Sequence, residues 1–406
     1  MTIKGKTKQT VFVGMSGGVD SSVAAGLLKN QGYNVIGVHL RCFNLDGCAD
    51  RDLEDARRTA EVLDIPFYVW DYEKEYKKDV MQYMIDGYKK GITPNPDVMC
   101  NKEIKFGLFL EKALKMGADY VATGHYVKLV SRHISAGTGV RLLQWQTAPM
   151  SRPEIFASRK PSISGFRNCR TKHTEKLALL FSLLIAKDKN KDQSYFLWTL
   201  TQKQLKHCLF PLGNLKKPEV RKLAQRFGLL NAAKKDSQGI CFLGKVSLED
   251  FLKKYIKPKK GNIVDTNGNV MGRHEGVFYY TIGQRHGLRL DKAAKSPDSE
   301  PYYVADKILK TNTLIVAQGE DNPALFKKEV ELIKVNFINK VKNGQNVLAR
   351  VRYRQPLFKA KLVLGCKLSV VGCKLVFDEP VKFVAVGQSA VFYLKNGEML
   401  GGGIIK

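Results

Sequence analysis

Residues 10–22 read TVFVGMSGGVDSS, and the rest of the chain is organised around them. Val11-Phe12-Val13 is a short apolar run of the kind that forms a buried strand. Glycine and serine end it, and Val19-Asp20-Ser21-Ser22-Val23-Ala24-Ala25 then has the composition of a helix start. Strand, tight turn and helix N-terminus together make an anion cradle, because free N–H groups and the helix dipole face one point. Gly17 and Gly18 allow the backbone close approach, and Ser16, Ser21 and Ser22 add hydroxyl donors. The stretch lacks a Gly-Lys-Ser/Thr ending, which disfavours simple γ-phosphate transfer. A plain glycine turn is the alternative, and the whole string SGGVDSS favours phosphate over it.

Outward from this loop, strands are expected at 34–40, 66–70 and 119–124, with helices at 50–63, 73–88 and 101–116. Alternating strands and helices predict an open parallel sheet whose ligands sit beyond the carboxyl ends of its strands. The loop, Leu40 and Thr123-Gly124-His125 all fall at such ends. In 92–101, ITPNPDVMCN, two prolines stiffen the approach and Cys100 falls at the entry to the next helix, where the dipole favours a thiolate. Asp97 lies three residues earlier, near enough to act as a base. A cysteine before a helix is also a common packing residue.

The stretch 131–174 is rich in Ser, Arg and Pro with almost no acid, and reads as a long basic loop rather than a domain. Residues 191–198, KDQSYFLW, run from polar into aromatic, a mixture that suits RNA or a loop feeding a buried strand. Cys241 sits in an apolar, glycine-flanked run. From 261 the hydrophobic period becomes two. A small, mostly β module is expected first, and from 302 a compact antiparallel barrel that includes a strand at 350–354, RVRYR.

The chain has 406 residues, enough for two or three domains, and a net charge of +29, which makes a polyanion its natural partner. The longest apolar run, 177–186, is well short of the ~18 residues of a membrane span, and no signal-peptide core precedes the first strand. Eight cysteines without a C-x-x-C pair argue against a zinc ribbon and for a reducing, cytoplasmic setting.

Taken in order, SGGVDSS, NPDVMCN, ATGHY, KDQSYF, DSQGICF, TIGQRHGL, RVRYRQP and VGQSAVFY resemble the bacterial tRNA-specific 2-thiouridylase family, of the ATP-pyrophosphatase superfamily. That resemblance implies an α/β doubly wound catalytic domain over 1–246, interrupted by 131–174. It also implies a small central tRNA-binding domain over 247–301 and a C-terminal β-barrel over 302–406. ATP, with Mg²⁺ as counter-ion, would be held by Gly14, Met15, Ser16, Gly17, Gly18, Val19, Asp20, Ser21, Leu40 and Gly124. Asn95, Pro96 and Asp97 would meet the target base, Cys100 would be the nucleophile and Cys241 the persulfide carrier, the two ending in a disulfide. His125, Lys191, Asp192, Gln193, Arg352, Tyr353 and Gln388 would contact tRNA at its anticodon stem-loop. A protein persulfide donor and a monomeric state complete the expectation. The rival readings are a different adenylating ligase on the same loop, which would have no use for paired cysteines, and a non-catalytic RNA-binding homologue.

Overall fold

The computed structural model describes residues 8–43, 48–134, 141–143, 178–235, 246–291, 300–365 and 372–406. The first strand, β1 (Thr10–Gly14), is flanked by β2 (Asn34–Arg41) and, beyond it, β3 (Phe67–Asp71). On its other side lie β4 (Tyr120–Ala122) and, past the hairpin described below, β8 (Cys208–Leu209). The order is β3-β2-β1-β4-β8, and every pairing is parallel. Alternation along β1 covers both faces. Val11 and Val13 join Ala24, Leu28, Ala56 and Leu223 on one side, while Phe12 packs with Trp70, Tyr76, Ile104 and Phe109 on the other. Helices α1 (Val19–Asn30), α2 (Cys48–Val62) and Lys217–Arg226 cover the first face, and two long helices over 73–89 and 96–115 cover the second. The sheet is doubly wound, as expected.

The helix over 96–115 begins before the expected position 101. Asn95 caps it, its side-chain oxygen accepting from Val98 N at 3.2 Å, and Pro96 takes the first helical position, where a missing N–H costs nothing. Cys100 therefore lies a full turn inside the helix, beyond the reach of most of the dipole field. From Cys100 to Phe109 the helix has wide, i→i+5 turns.

The expected loop over 131–174 starts inside a strand. β5 (Lys128–Ile134) pairs antiparallel with β6 (Arg141–Leu143) and with β7 (Ala178–Leu184), Ile134 opposite Ala178. Residues 135–140 and 144–177 lie outside the described residues. The hairpin is fastened to the C-terminal barrel by Glu398, only 3% exposed, which takes Arg132 Nη2 at 2.5 Å, Ser182 Oγ at 2.8 Å and Asn339 Nδ2 at 3.1 Å.

The central sheet has the order β10-β9-β12-β11, from β9 (Gly261–Val264), β10 (Val270–His274), β11 (Tyr302–Ile308) and β12 (Thr313–Gln318). It thus takes two strands from beyond 301. Residues 277–279 form a 3₁₀ turn. A closed barrel follows, ordered β13-β16-β15-β14-β17-β18, with β13 (Phe326–Phe337), β14 (Gln345–Arg350), β15 (Phe358–Leu364), β16 (Cys373–Lys382), β17 (Ser389–Tyr393) and β18 (Met399–Ile405). Leu332, Val347, Leu362, Leu375, Phe377 and Phe392 belong to its buried core. The strand expected at 350–354 stops at Arg350. Val351 N turns away from the ladder to Gln355 Oε1 at 3.1 Å, and Arg354 takes a left-handed conformation (φ 64°). Among the described residues no helix is long and apolar enough to cross a membrane.

Candidate nucleotide and thiol site

The loop between β1 and α1 is braced from within. Ser21 Oγ accepts from Ser16 N at 3.1 Å and donates to the Gly18 carbonyl at 3.1 Å, and Ser22 Oγ donates to the same carbonyl at 3.0 Å. Ser21 and Ser22 are buried, so their hydroxyls shape the loop, while Ser16 is exposed. The amides of Gly17, Gly18, Val19 and Asp20 have no hydrogen-bond partner among the described residues. The two loop glycines differ. Gly17 has φ 72°, and a Cβ there would run into the Asp52 carbonyl, so the fold itself demands glycine. Gly18 is extended, and a Cβ would meet only Ser16 Oγ at 3.5 Å. Its missing side chain leaves open space before the unpartnered amides.

Of the other residues expected at ATP, Met15 and Val19 are buried, and Gly14 sits in ordinary contact with Phe109. Leu40 is half-buried at the end of β2, opposite Trp70. Gly124 closes on the loop from β4, since a Cβ would lie 2.6 Å from Ser21 N. His39, not singled out in the sequence, donates from Nδ1 to Met15 O (3.0 Å), and burial lowers its pKa despite that bond.

Polar groups distant in sequence surround the loop, and no local signal marked them. Asp20 Oδ1 accepts from Lys217 Nζ at 2.7 Å and from Tyr126 OH at 2.8 Å. Asn231 Nδ2 donates to Gly17 O at 3.1 Å and Ser22 Oγ at 2.9 Å. Lys234 Nζ reaches Gly17 O at 3.3 Å, Asp52 at 2.8 Å and Asp55 at 2.5 Å. Burial works against its charge, yet the two carboxylates hold its pKa above the ordinary value. Two ammonium groups thus stand at a loop that has no lysine of its own.

Cys100 is 5% exposed, on the helix over 96–115. Asp97 precedes it on the same helix, and burial raises its carboxyl while Lys105 partly opposes the shift. Lys105 also acts on His125, whose pKa burial drives well below the ordinary value. His125 is therefore neutral near pH 7, bonded to Thr123 Oγ1 at 2.7 Å with its ring centroid 6.0 Å from that of Phe106. Gly124, against the loop, and His125, against the Cys100 helix, are consecutive, so the cradle and the thiol helix share one sheet edge. Cys241 falls in 236–245, outside the described residues. Cys42, Cys100, Cys208 and Cys373 are in no disulfide among the described residues. Burial pushes Cys373 up to about 12 and Cys208 higher still, which marks both as packing thiols.

The residues expected at tRNA divide into two groups. Asp192, 2% exposed, accepts from Ala186 N, Ser194 N and Ser194 Oγ and pairs with the buried Arg350 at 3.2 Å. Gln193 exchanges bonds with Tyr126, its side chain accepting from Tyr126 N at 3.0 Å and its amide donating to Tyr126 O at 2.9 Å. Tyr195 OH and Trp198 Nε1 end on Ser389 at 2.7 and 3.0 Å. KDQSYFLW is thus a seam locked onto the barrel, with Lys191 at its half-exposed margin. The second group joins the 93–96 segment, the barrel and the 281–288 loop. Asn95 and Gln388 meet at 3.4 Å, Gln388 Nε2 also donating to Thr93 O, and Thr93 N donates to Val386 O at 2.8 Å. Pro96 is buried beside them. Tyr353 stacks on Phe196 at 4.4 Å, and Arg352 bonds the Ile282 carbonyl.

Comparison with known proteins gives matches to three successive parts of the chain. Residues 9–147 and 165–245 match a family described as the tRNA methyl transferase HUP domain, 249–318 its PRC-barrel domain, and 327–405 the aminomethyltransferase beta-barrel domain. The first match breaks over 148–164, inside the basic stretch. A "tRNA-specific 2-thiouridylase MnmA" of Bacillus licheniformis is 42% identical, covering 97% of this chain and 94% of that protein. "tRNA-specific 2-thiouridylase MnmA 1" of Geobacillus kaustophilus is 43% identical over 98% and 95%. The Streptococcus mutans protein of the first name is 41% identical over 100% and 96%. From its N-terminal sheet to its barrel, the chain belongs to the tRNA-specific 2-thiouridylase family.

Proposed function

We propose that the chain replaces the 2-carbonyl oxygen of the wobble uridine of tRNA by sulfur, using ATP. The observation that carries this reading is an amide cradle without internal partners on the same sheet edge as the helix of a buried thiol. A uracil carbonyl oxygen is a poor leaving group, and attack of that oxygen on the α-phosphate converts it to AMP. The pyrophosphate released carries charge to the amides of 17–20, with Lys217 and Lys234 beside them; Mg²⁺ enters with the nucleotide. Asn95, Pro96 and Asp97 would receive a base unstacked from a single-stranded loop, and Asp97 would take the N3 proton that the uracil loses as its 2-oxygen is adenylated.

Sulfur arrives as a persulfide on Cys241, loaded by a donor protein. Its terminal sulfur bonds to C2 and AMP departs. The Cys100 thiolate then attacks the Cys241 sulfur, leaving the thiocarbonyl on the base and a Cys100–Cys241 disulfide that a reductant reopens. A monomer in the cytoplasm suffices for this chemistry. Methyl transfer, the activity in the family description, would leave the pyrophosphate cradle without a role.

The test is purified protein with tRNA, ATP·Mg²⁺ and a persulfide donor, followed by mass spectrometry of the nucleosides. Formation of 2-thiouridine is expected. Cys100→Ser should still release pyrophosphate with tRNA but make no thiouridine. Pyrophosphate release that needs no tRNA would point to a ligase and overturn the reading.

A further inference from the structure

The string TIGQRHGL at 281–288 has a placement that the proposed chemistry leaves unused. It is a loop built to hold still. Lys307 Nζ fixes its start on Tyr280 O at 3.0 Å. Gly283 N donates to Val304 O at 2.7 Å, and Val304 N returns a bond to Gln284 O at 3.0 Å. The Gln284 side chain accepts from Thr281 N at 3.0 Å and donates to His286 O at 2.9 Å. Gly283 is left-handed (φ 79°) and lies so close to Phe383 that a Cβ would fall 2.6 Å from its ring.

At the tip of this rigid loop Arg285 is exposed and has no hydrogen bond or ion pair among the described residues. Three other arginines are engaged. Arg289 pairs with Glu275 at 2.9 Å and Glu249 at 3.4 Å, Arg350 with Asp192, and Arg352 bonds the Ile282 carbonyl of the same loop. The position matters as much as the charge. Arg352 ties the loop to the turn carrying Tyr353, and its guanidinium lies 5.7 Å over the Phe383 ring. Residues 386–388, just beyond Phe383, hold Thr93 and Asn95. The Arg285 loop, the Tyr353 turn and the Asn95 segment are therefore joined in one run of contacts.

We infer that Arg285 is a phosphate-binding residue for the RNA strand that delivers its base to the Asn95 segment, an inference that rests on the proposed function. A guanidinium fork matches a phosphodiester, and a frame that is ordered before binding reduces the side-chain entropy lost on contact. Gln284 and Gly283 act through it as positioning residues.

The experiment measures tRNA affinity of the full chain against salt, alongside steady-state thiolation. Arg285→Ala should weaken binding roughly tenfold. It should lower the slope of log affinity against log salt by about one, the loss of one phosphate contact. The KM for tRNA should rise by a like factor with kcat unchanged, and Arg285→Lys should keep the salt slope. Arg273→Ala is the control: Arg273 is exposed on the edge strand β10, and its loss removes the same charge. Equal effects of Arg285→Ala and Arg273→Ala, or a fall in kcat with the salt slope intact, would overturn the assignment. A wild-type chain that binds tRNA but makes no 2-thiouridine would instead reject the proposed function, since binding is read without thiolation.

Discussion

The loop at 16–22 and the seam at 192–198 are both short, polar and rich in hydroxyl groups, and they differ in where their hydrogen bonds end. In the loop the side chains bond one another, and the backbone amides of 17–20 are left facing open space. In the seam Asp192, Ser194, Tyr195 and Trp198 all end on the barrel, at Arg350, Tyr393 and Ser389. A polar string is a binding site where its donors lack internal partners, and a joint where they have them. Damage to the joint should cost stability, and damage to the loop should cost chemistry.

The largest effect expected on this contrast is at the joint. Asp192→Ala strands Arg350 in the interior and should lower unfolding free energy by about 3–5 kcal/mol, read from denaturant midpoints. Burial raises the Asp192 pKa even beside the guanidinium, so the pair fixes geometry more than it stabilises. A loss under about 1 kcal/mol would erase the contrast. At the loop, Gly18→Val should reduce tRNA-dependent pyrophosphate release by about 10²–10³-fold, the scale of losing oriented donors. Its melting temperature should not move, because the extended backbone accepts valine and no protein atom crowds the site. A variant that is unstable, or fully active, would show the glycine to be a folding residue.

The smallest effect concerns His125, between the two regions. Its folded pKa is depressed by burial, so below the ordinary histidine pKa the unfolded chain binds a proton that the native chain does not. Stability should therefore fall as pH drops below about 6.5, by at most about 1.4 kcal/mol per pH unit. His125→Asn should flatten that slope between pH 6.5 and 5.5 in urea titrations. An unchanged slope would mean that other groups set the acid limit.

The strand-loop-helix start was legible because its cues are local: an apolar run, two glycines and a helix start within 10–22. The parallel sheet and the barrel followed from hydrophobic period. The seam was not legible, because Asp192 and Arg350 are 158 positions apart and Tyr195 and Ser389 are 194 apart. Its aromatic content reads equally as RNA contact or as core. Lys217, Lys234 and Asn231 escaped notice for the same reason, since nothing in their own neighbourhoods points to Gly17 or Asp20. The helix start at Pro96 was readable in principle. Asn95-Pro96 is a cap followed by a first-position proline, although prolines in ITPNP also read as an extended approach.

The hairpin of β5 and β7 turns the basic stretch into something with practical use. With Ile134 opposite Ala178, the segment between them, which contributes β6 to the same sheet, starts and ends at one doorway two strands wide, bolted to the barrel by Glu398. Closing a longer loop at a fixed doorway costs only about 0.6 kcal/mol per doubling of length. The same doorway should accept a reporter or affinity domain whose own termini lie one strand spacing apart, about 5 Å. It offers a port for labelling the enzyme without touching the loop, the thiol helix or the seam.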